Sequence, residues 1–170
     1  TAIATTAPTR AGLSSRFRDR FGIPVNRALG IIEVGLPVID LDPNPLREES
    51  VGQLLPSYRL KLRPVADDPA RTEILLGGPG LLDAYYSPFQ NRDEAAPDGW
   101  FATGDVGELD ANRNLYINGR VKEIINVGGM KIFPTDIENV LARHEAVREA
   151  CVFAHKHPIM GETPFAKVVL

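Results

Sequence analysis

The stretch from Gly99 to Glu138 leaves this chain few ways to fold. It opens on an aromatic pair, Trp100-Phe101, read as buried, and a Thr103-Gly104-Asp105 turn. Two short runs, Val106–Asp110 and Leu115–Ile117, then flank Asp110-Ala-Asn-Arg-Asn114, a string rich in residues that accept turn geometry, so a hairpin is predicted. Pairing those runs returns Asp105 and Arg120, each preceded by a glycine, to one end of the ribbon. A carboxylate and a guanidinium held there can grip a polyol such as ribose, the first accepting from hydroxyls and the second donating to ring or phosphate oxygens. They can equally form a plain ion pair closing the hairpin, and the residues alone leave both readings open. Beyond the Gly119-Arg120 corner come an apolar strand, a Gly128-Gly129 turn, and Thr135 with Glu138 three residues on. That spacing predicts a capping box opening a helix over Asp136 to about Arg143 that buries Ile137, Val140 and Leu141.

Ahead of this stretch the pattern changes. Ala2–Thr6 suits a short strand, and Leu13, Phe17 and Phe21 recur at helical spacing up to Gly22. Pro24–Leu29 reads as a second strand, giving a β-α-β piece. Leu41–Val51 is rich in turn residues and predicts a boundary between subdomains. Tyr58–Arg63 alternates apolar and basic residues, a half-exposed strand, and Glu73–Leu76 is another. Gly77-Gly-Pro-Gly80 lacks the following Lys-Ser/Thr of a phosphate loop and reads as a turn. Ser87-Pro88 has the residue preferences of a helix start. After the predicted helix, Val147–Ala154 and Phe165–Leu170 are predicted strands. His155 and His157 fall on one side of an extended segment, with no third metal ligand at suitable spacing.

Composition narrows the function classes. The 170 residues are 44% hydrophobic and 24% charged with net charge −3, ordinary globular material without the basic cluster that nucleic acid demands. No run is long enough for a membrane span, and no secretory pattern opens the chain. The single cysteine, Cys151, excludes an intrachain disulfide and reads as a small core residue, and a cytoplasmic location is the expectation. A start at Thr1 without methionine suggests a processed or excised piece.

The central stretch resembles the adenylate-forming superfamily, which includes acyl-CoA synthetases, beetle luciferases and the adenylation domains of peptide synthetases. Gly99-Trp-Phe-x-Thr-Gly-Asp105 is similar to its ribose-binding motif. Gly119-Arg-x-Lys-Glu-Ile-Ile-x-x-Gly-Gly-x-Lys-Ile-x-Pro-x-Asp-Ile-Glu138 is similar to its hinge and the motif that follows. The Lys-Glu-Ile-Ile and Lys-Ile-Phe-Pro pattern resembles CoA ligases more than peptide-synthetase modules. The resemblance implies nucleotide binding by Asp105 and Arg120, with Ile117 against the adenine and Thr6 in the turn beside it. It implies a hinge at Lys122 and a pantetheine tunnel along Gly128 and Gly129. Leu29-Gly-Ile-Ile-Glu33 falls where the family shows Tyr-Gly-x-Thr-Glu, which makes Glu33 the magnesium-side carboxylate. Leu29, Ile32 and the Thr5-Thr6 pair depart from the family pattern, and Ile32 offers no hydroxyl to a phosphate.

The expected fold class is therefore mixed α/β and α+β. Residues 1–120 form the end of a large AMP-binding domain, with a β-α-β piece at 1–40 and a small β-barrel-like subdomain at 45–120. A hinge follows, and residues 123–170 form the first part of a small α+β domain. The implied activity is an ATP-dependent acyl-CoA synthetase of fatty-acid-metabolism type, with ATP/AMP, Mg2+ and CoA as cofactors and a small carboxylic acid as substrate. None of the five lysines lies in the family's phosphate loop or its late catalytic-lysine motif, so the chain is expected to be inactive alone. The alternative is a non-catalytic AMP/CoA-binding or interaction module. Strand edges separated from their neighbours, Phe165–Leu170 in particular, predict self-association.

Overall fold

The computed structural model describes residues 2–5, 12–42, 49–66 and 68–170. Strand β1 (Ala2–Ala4), helix α1 (Leu13–Phe21) and strand β2 (Val25–Ile31) form the expected β-α-β piece, with β1 parallel to β2 and Ala2 opposite Val25. The helix ends where Gly22 turns left-handed at φ 71° and its N–H donates to the Arg18 carbonyl. Strands β3 (Gly35–Ile39) and β4 (Ser50–Leu54) follow, then the long ribbon of β5 (Arg59–Val65) and β6 (Asp68–Gly77). A minor pair, β7 (Ala84–Tyr85) and β8 (Gln90–Asn91), leads into the single turn of α2 (Arg92–Ala95). The second ribbon is β9 (Phe101–Leu109) with β10 (Leu115–Arg120).

These strands make one eight-stranded sheet in the order β1-β2-β3-β4-β10-β9-β6-β5. Two expectations change here. The boundary expected at Leu41–Val51 does not divide the sheet, because β3 pairs with β4 across it, Val38 opposite Leu54. The barrel-like subdomain is open among the described residues: β1 and β5 stand at opposite ends and no pairing closes the ring. Its core is Leu29, Val34, Val38, Ile74, Leu76 and Leu115, drawn from β2, the β2–β3 turn, β3, β6 and β10. Burying each such side chain contributes about 1.5–3 kcal/mol, which holds the β-α-β piece and the ribbons as one body.

Local chemistry explains two further corrections. The short helix does not start at Ser87-Pro88. It starts after Asn91, whose side chain accepts from the Glu94 N–H while the Glu94 carboxylate accepts from the Asn91 N–H. Trp100 is half-buried rather than buried, its ring facing Arg59 at 4.8 Å and Lys61 at 4.3 Å, so the solvated basic strand supplies its cover.

Past β10, a 3₁₀ turn at Val121–Glu123 precedes β11 (Ile125–Val127), β12 (Met130–Ile132), α3 (Pro134–Leu141) and a nine-on-nine hairpin of β13 (Glu149–His157) and β14 (Gly161–Val169). They form a second sheet ordered β12-β11-β14-β13. The predicted capping box is not made. Pro134, pre-set for a first helical residue, opens α3 two positions earlier, and Phe133 is the cap residue. The Thr135 hydroxyl instead donates to the Asn118 carbonyl, and the Glu138 carboxylate accepts from the Val152 N–H. Val140 is exposed rather than buried, since α3 is covered along one side by β13, and Ile137 and Leu141 are half-buried. Cys151 is exposed, not core: alternation along β13 turns Val152 inward and its neighbours out. Phe165–Leu170 does not lie on an outermost strand, because β14 sits between β11 and β13. It meets β11 only at Gly161 opposite Val127, so its remaining length has one unpaired side among the described residues.

Candidate functional site

The β9–β10 ribbon carries two irregularities, and the site is built on them. On β9, the step from Ala102 to Val106 faces only the step from Leu75 to Glu73 on β6, so Thr103-Gly104-Asp105 is extruded from the ladder. Gly104 has φ 74°, a conformation that favours glycine. The Thr103 hydroxyl donates to the Ile74 carbonyl at 2.8 Å and accepts from the Asp105 N–H at 3.0 Å. On β10, Gly107 faces Ile117 but Val106 faces Gly119, which leaves Asn118 as the extra residue. Its carbonyl is the one taken by Thr135.

The hairpin turn rests on Asp110, whose Oδ1 accepts from the Asn112 and Asn114 N–H groups at 2.9 and 2.8 Å. Its other oxygen accepts from the Asn114 amide at 2.8 Å, and this explains how a fully buried Asn114 is tolerated. Register then makes Asp105 and Arg120 direct partners. Arg120 Nε lies 2.9 Å from Asp105 Oδ1, and an Arg120 NH2 group donates to the Thr103 carbonyl at 3.2 Å. The Asp105 side chain is 14% exposed and that of Arg120 44%, so the carboxylate is recessed and the guanidinium forms the rim. Burial pushes the Asp105 carboxyl above its ordinary pKa of 3.8, a rise opposed by Arg120 and reinforced by the Glu123 and Glu73 carboxylates. The ion pair of the plainer reading is present, and the same geometry leaves a recessed acceptor beside a partly solvated donor, which suits vicinal hydroxyls.

Among the other residues singled out, Ile117 shares β10 with Arg120 and packs half-buried against the main core. Thr6 lies outside the described residues. Lys122 is exposed in the 3₁₀ turn between the two sheets. Gly128 and Gly129 form the β11–β12 turn with φ 56° and 96°. A Cβ at Gly128 would come within 2.7 Å of the Met160 methyl, while that at Gly129 would meet open space. Glu33 sits on the β2–β3 turn, where its Oε1 accepts from the Tyr85 hydroxyl at 2.8 Å. Tyr85 is pushed up to about 12 by burial, with the Glu33 carboxylate adding to the rise. β2 and β10 stand three positions apart in the sheet, roughly 14 Å at ordinary strand spacing.

No group of three or more His, Cys, Asp or Glu side chains stands ready for a metal among the described residues. Glu33 offers one carboxylate, a donor set that fits Mg2+ only with phosphate oxygens completing it, which is the usual arrangement for that ion. His155 is stacked on Phe165 at 4.5 Å, and His157 Nδ1 accepts from the Ile159 and Met160 N–H groups. Sequence reading missed Glu73 and Tyr85 as parts of the site. Their contacts span tens of residues and leave no local signature.

The open mixed sheet followed by a small four-stranded unit places the chain in the adenylate-forming class of folds. It superposes on o-succinylbenzoate CoA synthetase from Bacillus subtilis in complex with the acyl-adenylate intermediate OSB-AMP, with TM-score 0.76 and 28% identity over 98% of this chain and 35% of that one. The same synthetase in complex with ATP and magnesium ion gives 0.77. Residues 136–170 match the AMP-binding enzyme C-terminal domain. The chain is 36% identical over 161 residues to a sulfoacetate–CoA ligase of Cupriavidus necator, covering 91% of this chain and 31% of that protein. It is 35% identical over 166 residues to chalcone synthase cfoA of Aspergillus candidus, covering 92% of this chain and 6% of that protein. The chain belongs to the adenylate-forming enzyme superfamily and spans about a third of the length of the ligase it matches. No helix among the described residues is long and apolar enough to cross a membrane.

Proposed function

We propose that this chain is the ribose-gripping and hinge segment of a cytoplasmic ATP-dependent acyl-CoA synthetase. The intact enzyme joins a carboxylic acid to ATP, forming acyl-AMP and releasing pyrophosphate, and then passes the acyl group to the CoA thiol. The carrying observation is the Asp105–Arg120 pair presented on an extruded Thr-Gly-Asp bulge. Asp105 accepts from the ribose hydroxyls, Arg120 donates to ring or phosphate oxygens, and Ile117 lies beside the base. Glu33 holds Mg2+, which supplies charge neutralisation at the phosphates. Residues 1–120 act as the large-domain part and 123–170 as the small-domain part, swivelling at exposed Lys122. Gly128 and Gly129 admit the pantetheine arm close to backbone. By itself the chain binds nucleotide without turning over, since the transfer step depends on cations placed at the phosphates.

Titration calorimetry with AMP tests this. Asp105→Ala and Arg120→Ala each weaken binding about tenfold or more, the worth of a charge-assisted hydrogen bond. Equal affinity in both variants refutes the ribose role. A non-catalytic AMP/CoA-binding module is the second reading. It is favoured by Ile32, 99% exposed beside Glu33 with no group to offer a phosphate. Pyrophosphate release by the full-length parent protein separates the two. The fatty-acid role and self-association through the free side of β14 belong to the same proposal.

A further inference from the structure

Glu73 lies outside every motif in the sequence, yet its carboxylate supports the Thr103-Gly104-Asp105 bulge. Its side chain is only 13% exposed. One oxygen accepts from the Gly104 N–H at 3.2 Å, and the other accepts from an Arg63 NH2 group at 2.6 Å. The next residue on β6, Ile74, accepts from the Thr103 hydroxyl. Two consecutive β6 residues therefore hold the first two residues of the bulge, one by side chain and one by backbone.

This arrangement has an electrostatic cost. Glu73 places a second negative charge near Asp105 and disfavours its ionised form. Arg63 supplies the countercharge that offsets this. A neutral acceptor would spare the repulsion, but a charged acceptor binds an amide about twice as strongly as a neutral one. An extruded peptide whose N–H has left the ladder needs such an anchor, or it will trade partners with water.

We propose that Glu73, clamped by Arg63, is a positioning residue for the nucleotide grip: it holds the Gly104 amide so that the Asp105 carboxylate meets Arg120 and faces the sugar hydroxyls. The proposal rests on the ribose reading above and adds the residue that orients it. Glu73 acts through the bulge and is not assigned contact with the ligand.

The test uses the 170-residue chain with Glu73→Ala and Glu73→Gln, read by AMP calorimetry and by NMR exchange of the Arg120 Nε–H. In Glu73→Ala, AMP affinity falls about tenfold and the Arg120 Nε–H exchanges like an exposed guanidinium. Glu73→Gln keeps an oxygen for the Gly104 amide and restores both readouts to within about threefold. A purely structural Glu73 would lower the melting temperature of Glu73→Ala and leave affinity and Arg120 exchange unchanged, which overturns the proposal. If the unsubstituted chain fails to bind AMP, the ribose reading falls, and the Arg120 exchange comparison alone decides for or against the positioning role. Should Glu73→Ala fail to fold, Glu73→Asp, with its carboxylate drawn back by one methylene, is read in the same way.

Discussion

Arg71 and Asp136 join the two sheets: an Arg71 NH2 group lies 2.7 Å from Asp136 Oδ2, one residue on β6 and the other in the first turn of α3. The same guanidinium sits 4.5 Å from the centre of the Phe133 ring. Phe133 is buried with Val65 and Val106, so the start of the small unit is inserted against the large one.

These contacts differ in weight. Phe133→Ala is expected to lose about 3–5 kcal/mol in urea unfolding, the range for removing a buried aromatic ring. Arg71→Ala should lose about 1 kcal/mol or less, since both partners of its ion pair are partly solvated. A larger loss in Arg71→Ala than in Phe133→Ala would contradict this ranking.

Asp105 should reduce stability at neutral pH. Its folded-state pKa lies above 3.8, so the folded chain resists ionising it. The cost is absent below the ordinary carboxylate pKa, develops as pH rises above 3.8, and is complete above the folded-state value. Asp105→Asn is therefore expected to melt higher than the unsubstituted chain at pH 7 and level with it near pH 3. Melting curves across that range check the sign; a variant less stable at pH 7 than at pH 3, relative to the unsubstituted chain, contradicts it.

Gly107 is closed to any side chain. A Cβ there would lie 2.3 Å from the Tyr116 carbonyl oxygen and 2.8 Å from Ile74 Cδ1. Gly107→Ala should lose about 1–3 kcal/mol through overpacking. Thermal unfolding that matches the unsubstituted chain would show that the ribbon relaxes around the methyl.

Tyr85 holds Glu33 through one hydrogen bond. Tyr85→Phe is expected to weaken Mg-dependent ATP binding by about threefold to tenfold and to leave metal-free AMP binding unchanged. Calorimetry with each nucleotide separates the metal-side role of Glu33 from the sugar-side role of Asp105, and parallel losses would mean that the two roles are not separate.

The free side of β14 carries exposed Phe165, Val168 and Val169. Light scattering should show mass rising with concentration, and Val168→Lys should suppress it, since a lysine on an edge opposes strand addition. A monomer at every concentration removes self-association from the proposal.

Much of this architecture was legible from local pattern. The ribbon around Asp110, the end of α1 at Gly22 and the return of Asp105 to Arg120 all follow from turn chemistry and period-two pairing over short distances. Cys151 and Val140 were misread for a shared reason. Each side chain's environment is set by what packs from elsewhere, and local spacing carries no information about that.

The residues alone determined that a carboxylate and a guanidinium meet at one end of a hairpin, because strand pairing is a local count. Only the tertiary structure decided how that end is held: by Glu73 and Ile74 of β6 beneath the bulge, and by Thr135 on the Asn118 carbonyl that the second bulge exposes. Extruding residues from a ladder strands their polar groups, and partners for those groups come from whichever segments the fold brings close.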